Sequence, residues 1–270
     1  MSNAALTPVN GPRKFGLING LGLWTLYKKE VRRFLKVGMQ TVAAPVATTL
    51  LYMTVFAVAI GSRRGDVAGV PFIEFLAPGL ILMGLLNNAF ANSGSSILVS
   101  KVQGNSVDFL MPPLSALELS IGFIAGAMSR GILVAIVTAL TLIPFMDIAP
   151  QHWWAVLYFG VSASAMLGMV GVIGGLWAEK FDHMAAVTTF VITPLTFLSG
   201  TFYSVDALPE PIATISHFNP FFYMIDGFRY GFIGHADGSL TVGVLLVLAI
   251  NIVLGAACYL LLRAGWRLKS

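Results

Sequence analysis

The chain is short of charge. Of its 270 residues only 10% are Asp, Glu, Lys or Arg, where soluble domains carry about 25%. Hydrophobic residues make up 57% and the mean hydropathy is +0.83. A water-soluble fold could not hide that much apolar surface, so lipid must be the solvent for most of the chain. There is one cysteine, Cys258, inside an apolar run. An internal disulfide is therefore excluded, and buried packing is its expected role. No GxxxxGK[ST] stretch is present, so ATP cannot be bound by a P-loop of this chain. HExxH and CxxC are also missing, and His152, His183, His217 and His235 are scattered over loops, so no metal ligand set is expected. The apolar runs hold almost no acid, with Glu74 and Glu118 at their ends. Ion-coupled carriers place acids within their spans, so an ion-driven mechanism is disfavoured. No His or Asp lies clearly inside a run beside a nucleophile, which argues against catalysis.

Six apolar runs are long enough to cross a bilayer, which takes about 20 residues. They fall near 38–60, 73–99, 117–145, 153–177, 184–203 and 240–262. The expected fold is an all-α integral membrane protein with six transmembrane helices. Basic residues set the orientation. Arg13, Lys14, Lys28, Lys29, Arg32, Arg33, Lys36, Lys101, Lys180, Arg263, Arg267 and Lys269 fall on one side. Arg63, Arg64 and Arg229 fall on the other, and Arg130 lies within a span. Both termini are expected in the cytoplasm. The net charge of +4 is read as orientation rather than as a nucleic-acid surface. The first 37 positions contain no continuous apolar h-region, so insertion by the first span is expected rather than a cleaved signal.

Residues 1–37 form a separate N-terminal segment ahead of the spanning domain, 38–270. Leu17, Leu21, Trp24, Tyr27, Val31 and Phe34 recur at helical steps, with Lys29, Arg32, Arg33 and Lys36 opposite. This pattern predicts an amphipathic helix in the cytoplasmic interface. Trp24 and Tyr27 would anchor it, while Arg32 and Arg33 would sit on its basic face. Gly171 and Gly175, beside Gly168 and Gly174, make a GxxxG stripe in the fourth run. Close packing within the subunit is its default role, and a dimer contact is the alternative. Arg130 should face the bundle or a wet cavity, with helix-end carbonyls, Asn87, Asn88 or Asn92 as candidate partners.

Two stretches carry a family resemblance. One is GNSVDFLMPPLSALEL at 104–119. The other is PLTFLSGTFYSVDALPEPIATISHFNPFFYMIDGFRYGF at 194–232. PGL at 78–80 fits with them. Together they resemble the membrane subunit of an ABC-2 type exporter, closest to the branch of nodulation-factor and antibiotic-resistance permeases. The resemblance implies that two permease copies, as a homodimer, dock two separate ATPase subunits carrying ATP and Mg. No cofactor would lie in this chain. It also implies a bacterial inner-membrane location and outward movement of an amphiphilic or lipid-linked substrate. Asp108, Phe109, Leu110 and Met111 would form an exposed coupling knob against the ATPase, ended by Pro112–Pro113. The segment after the fifth run would form short helices re-entering the outer leaflet, holding Asn219, Pro220, Tyr223, Asp226 and Arg229. Asp226 and Arg229, at i and i+3, are expected to pair. Two rival readings are an ion-coupled secondary carrier and a non-transporting assembly factor.

Overall fold

The computed structural model describes residues 18–61, 65–105, 109, 111–145 and 149–268. Among these the regular structure is helical. Helix α1 spans Gly20–Lys36 and starts at Asn19, whose side chain accepts from the Gly22 amide at 3.0 Å. Helix α2, Ala44–Phe56, lies between π-helical turns at Met39–Ala43 and Ala57–Gly61. Then follow α3 (Phe72–Val102), α4 (Ala116–Leu142) and α5 (Trp153–Trp177). After them come α6 (Phe181–Val187) and α7 (Thr193–Phe197), joined by a π turn at Thr188–Ile192. The last three are α8 (Glu210–His217), α9 (Pro220–Ile233) and α10 (Leu240–Arg263).

Five helices are long and apolar enough to cross a membrane: Met39–Ala59, Phe72–Val102, Ala116–Phe145, Trp153–Trp177 and Leu240–Arg263. The run expected as a sixth crossing, 184–203, is different. Its helical part is α6, the π turn and α7, of seven, five and five residues. It ends at Leu198, before Gly200 turns the chain with φ +75°. Together these 17 contiguous helical residues reach about 25 Å, the short end of what a crossing takes. Proline explains its shape. Pro194 cannot donate to the carbonyl four residues back, and its ring crowds that carbonyl. A widened π turn just upstream relieves the clash. Pro45, at the start of α2 after Met39–Ala43, repeats the arrangement.

Helix α3 is the axis of the bundle. In its most apolar window 72% of residues are buried, against 11% for the corresponding windows of Met39–Ala59 and α10. Those two elements are therefore peripheral. The GxxxG stripe of α5 packs on α3 within this chain, as its default reading held. A Cβ on Gly171 would overlap Ser93 Oγ and the Phe90 carbonyl, and one on Gly175 would come within 2.8 Å of the Gly94 carbonyl. Ser93 donates across this contact to the Gly168 carbonyl at 2.7 Å. Lys101, at the end of α3, caps the C-terminus of α5 by donating to Leu176 O (2.6 Å) and Ala178 O (2.7 Å). A cation there also suits the negative end of the helix dipole. Cys258 is buried and points at the Met169 carbonyl at 3.5 Å.

Replacing Gly171 with Ala should destabilise the bundle by about 1–3 kcal/mol, the usual range for overpacking. Gly174→Ala should be close to neutral, because its Cβ would first meet Met184 Sδ at an ordinary 3.4 Å. Thermal midpoints of the two purified variants in one detergent check the contrast.

Candidate functional site

Helix α1 lies along α4, and its buried residues are Leu26, Glu30 and Phe34, at steps of four. Gly122 and Gly126 of α4 make room for Leu26 and Glu30. The predicted apolar stripe is thus displaced. Leu21 and Trp24 are exposed, Tyr27 and Val31 are half-buried, and among the described residues of that stripe only Phe34 is buried; Leu17 lies outside them. Trp24 packs on Tyr27 with ring centroids 5.4 Å apart, and Tyr27 Oη lies 3.0 Å from Ser129 Oγ. Arg32 is exposed.

Arg33 turns inward instead of staying on the basic face. Its Nη2 is 3.2 Å from Glu30 Oε2, and it donates to Asn92 O (2.6 Å) and Asn92 Oδ1 (2.9 Å). Its Nη1 donates to Ser95 Oγ at 3.1 Å. The other oxygen of Glu30, Oε1, accepts from Ser96 Oγ at 2.7 Å. Glu30 itself has no solvent exposure. Reading the sequence alone missed it. The available signal was that Glu30 is the one acid in 17–37 and falls in step with Leu26 and Phe34.

Arg130 faces a cavity of about 720 Å³ between α1, α2, α3 and α4, with Arg33, Thr48, Tyr52, Asn87 and Asn88 among its lining residues. Arg130 Nε donates to Asn88 Oδ1 at 3.2 Å. Asn88 is thus the partner among the candidates. Asn92 is occupied by Arg33, and Asn87 donates to Met83 O at 3.0 Å.

The loop after α3 corrects one expectation. Phe109 is not an exposed knob: it is 2% exposed and packs edge-on to Phe123, with centroids 5.5 Å apart. Leu26, Leu119 and Leu262 belong to the same buried cluster. Burying a phenyl ring inside its own chain is favourable by roughly 1.5–3 kcal/mol, which outweighs holding it out for a partner. Met111 is exposed, at 79%. Asp108 and Leu110 lie outside the described residues. The loop is also tied to α1, since Asn19 Nδ2 donates to Pro113 O at 3.1 Å. A capping box at Ser115 and Glu118 starts α4, and Glu118 Oε1 accepts from the Asn19 amide.

The segment between α7 and α10 is held by backbone contacts. Asn219 caps α9 by accepting from the Phe221 amide (3.0 Å), with Pro220 at the first helical position. Its amide nitrogen donates to Leu195 O (2.9 Å) and Ser199 Oγ (2.8 Å). Tyr223 is half-buried, edge-on to Phe222. A Cβ on Gly227 or Gly231 would overlap Phe159 or Val156, so α9 lies tight against α5. Asp226 and Arg229 do not form the expected ion pair. Asp226 accepts from the Asp237 and Gly238 amides, each at 2.9 Å. Burial pushes its carboxyl up to about 6, against the pull of the Asp237 amide and the Arg229 charge. Arg229, 2% exposed, donates to Phe75 O (3.3 Å) and Gly200 O, and its guanidinium stacks 3.9 Å from the Phe75 ring centroid. Each side chain is taken up by backbone groups on a different neighbour rather than by the other. The structure also gathers Asp206, His235 and Asp237, whose ligand-type atoms lie within 4.8 Å of one another. No spacing in the sequence announced that grouping. Asp237 accepts from the Val205 amide at 2.7 Å and lies 3.4 Å from His235 Nε2, so the group closes the loop onto itself.

Apolar helices of spanning length around a polar, cationic cavity are the build of a membrane permease. A family model described as ABC-2 type transporter matches residues 22–233, from α1 to the last residue of α9. The chain belongs to the ABC-2 type transporter family. It is 39% identical over 253 residues to the inner membrane transport permease YadH of Escherichia coli (strain K12), covering 93% of this chain and 98% of that protein. It is 26% identical over 240 residues to nodulation protein J of Rhizobium leguminosarum bv. viciae, covering 86% and 90%. The nodulation protein J of Neorhizobium galegae is 24% identical over 235 residues, covering 84% and 86%.

Arg229→Met should cost about 1–3 kcal/mol, because two buried carbonyls lose their donor. Arg229→Lys should recover less than half of that, since an ammonium cannot both stack flat and reach two acceptors. Thermal midpoints, with protease sensitivity between residues 198 and 219, check the ranking.

Proposed function

We propose that this chain is the permease subunit of an ATP-driven exporter, moving an amphiphilic or lipid-linked substrate outward. ATP and Mg would be held by a separate ABC ATPase, in keeping with the lack of a P-loop here. Two copies would form a homodimer in a bacterial inner membrane, with both termini cytoplasmic and α1 at the inner interface. The exposed faces of α2 and α10 leave room for lipid and for a second copy.

One observation carries the reading. Glu118, Asn19 and Pro113 join the start of α4, the start of α1 and the loop after α3 into a single knot. A partner pressing on that loop would move α1, and α1 carries Arg33 at the wall of the cavity. Met111 is the side chain offered to such a partner. The short helices α8 and α9 would re-enter the outer leaflet and cover the exit. Irregular backbone at membrane depth survives where protein or a wet cavity surrounds it.

Affinity purification of the tagged chain from native membranes in mild detergent should bring a soluble P-loop ATPase in stoichiometric amount. Met111→Asp should reduce its recovery about tenfold, the size of an interface hot spot, with an unchanged thermal midpoint. Phe109→Asp should instead lower the midpoint, because it buries a charge. Absence of any ATPase, together with ion-gradient transport by the purified chain alone, would favour the secondary-carrier reading.

A further inference from the structure

We infer that the cavity between α1, α2, α3 and α4 binds the anionic headgroup of an amphiphile, with the Arg130 guanidinium taking the anion. The inference rests on the export reading for its direction of use, but its chemistry comes from the cavity itself. A volume of about 720 Å³ is in the range of small-ligand sites, about 300–1,000 Å³. The lining contains two guanidinium groups, amides and hydroxyls, and no acid.

The two arginines differ in how they are balanced. Arg33 has a carboxylate partner in Glu30. Arg130 has none: among the described residues its hydrogen bond goes from Nε to the neutral Asn88. Among the described residues its two terminal nitrogens have no protein acceptor. Arg130 is about 21 Å along α4 from Ala116, at 1.5 Å per residue. A charge at such depth is costly and normally finds a partner. A guanidinium with two free donors matches a phosphate or carboxylate in a forked geometry.

The cavity wall indicates why the anion should carry a tail. Helix α2 is peripheral, and two residues that line the cavity from it, Ala44 and Thr48, are exposed. The cavity is therefore open at the side. Next to that opening, Leu51 and Val55 present an apolar surface. A headgroup can sit at Arg130 while its chains stay along α2. Ser95 beside Arg33 and Asn88 beside Arg130 are about 10 Å apart along α3, so the two arginines make successive stations from the α1 end inward.

The test uses the full chain in phosphatidylcholine nanodiscs, without ATPase or nucleotide. The probe is a fluorescent short-chain phosphatidic acid, with phosphatidylcholine of the same chain length and inorganic phosphate as competitors. Phosphatidic acid should bind saturably and about tenfold more tightly than phosphatidylcholine. Arg130→Gln should abolish that preference, and Arg130→Lys should keep part of it. Thr48→Glu, at the exposed mouth, should also abolish it by placing a carboxylate where the anion enters. This second variant carries the test if Arg130→Gln does not fold. Equal binding of the two lipids, or wild-type preference in both variants, would overturn the inference. Complete displacement of the probe by inorganic phosphate at matching concentration would overturn the amphiphile and assign a free anion. Failure of the export reading is separate, because it is read from ATPase recruitment and not from this binding.

Discussion

The bundle depends on one carboxylate. Glu118 sits in the first turn of α4, and one of its oxygens closes the capping box with the Ser115 amide (2.6 Å) and hydroxyl (2.8 Å). The other accepts from the backbone amide that begins α1. A helix N-terminus leaves its first amides unpaired, and here one acid satisfies donors at two such ends. That fixes where α1 starts and which of its faces meets α4. Leu26, Glu30 and Phe34 then turn inward, and Glu30 brings Arg33 to the cavity wall. Without this clip, an amphipathic segment with exposed Trp24 and Leu21 could slide or roll on a lipid surface.

Small residues do the equivalent work elsewhere. Ser93 and Gly94 of α3 lie against Gly168, Gly171 and Gly175 of α5. Gly227 and Gly231 let α9 approach α5, and Gly79 lets α3 meet Thr201 and Arg229. Helices in lipid gain little from apolar burial against one another, so close backbone contact and interhelical hydrogen bonds hold them. The peripheral position of α2 follows, since it shares few such contacts, and that leaves the cavity beside it open.

Polar groups at depth fall into two sets. Arg229, Asp226, Asn219 and Lys101 each satisfy backbone groups at breaks or ends of helices, and in that role they hold irregular chain in place. Arg33, Glu30, Asn92 and Ser96 are linked to one another through side-chain hydrogen bonds, with the charge of Arg33 balanced by Glu30. Arg130 belongs to neither set, because among the described residues it donates to a single neutral amide. That difference, more than depth alone, separates a structural cation from one available to a ligand.

Much was determined by the sequence alone. Charge scarcity required a membrane fold, apolar length placed six runs of which five form long crossing helices, and the motifs at 104–119 and 194–232 marked the ABC-2 family. These rest on composition and local order, which survive without knowing contacts. The face of α1 was not legible, because its apolar stripe and its buried row differ by a small rotation that only packing against Gly122 and Gly126 selects. Phe109 reads as part of an exposed apolar knob with Leu110 and Met111 until Phe123 arrives from a distant position to cover it. Asp226 and Arg229 read as a local pair until loop amides and the Gly200 carbonyl offered each a better partner. Hydropathy marked the run at 184–203 but not its π turn before Pro194 or its end ahead of Gly200, because these are set by the backbone rather than by apolar length. The tertiary structure decided which polar side chains meet, since those contacts join residues far apart in the chain and depend on how closely the helices approach.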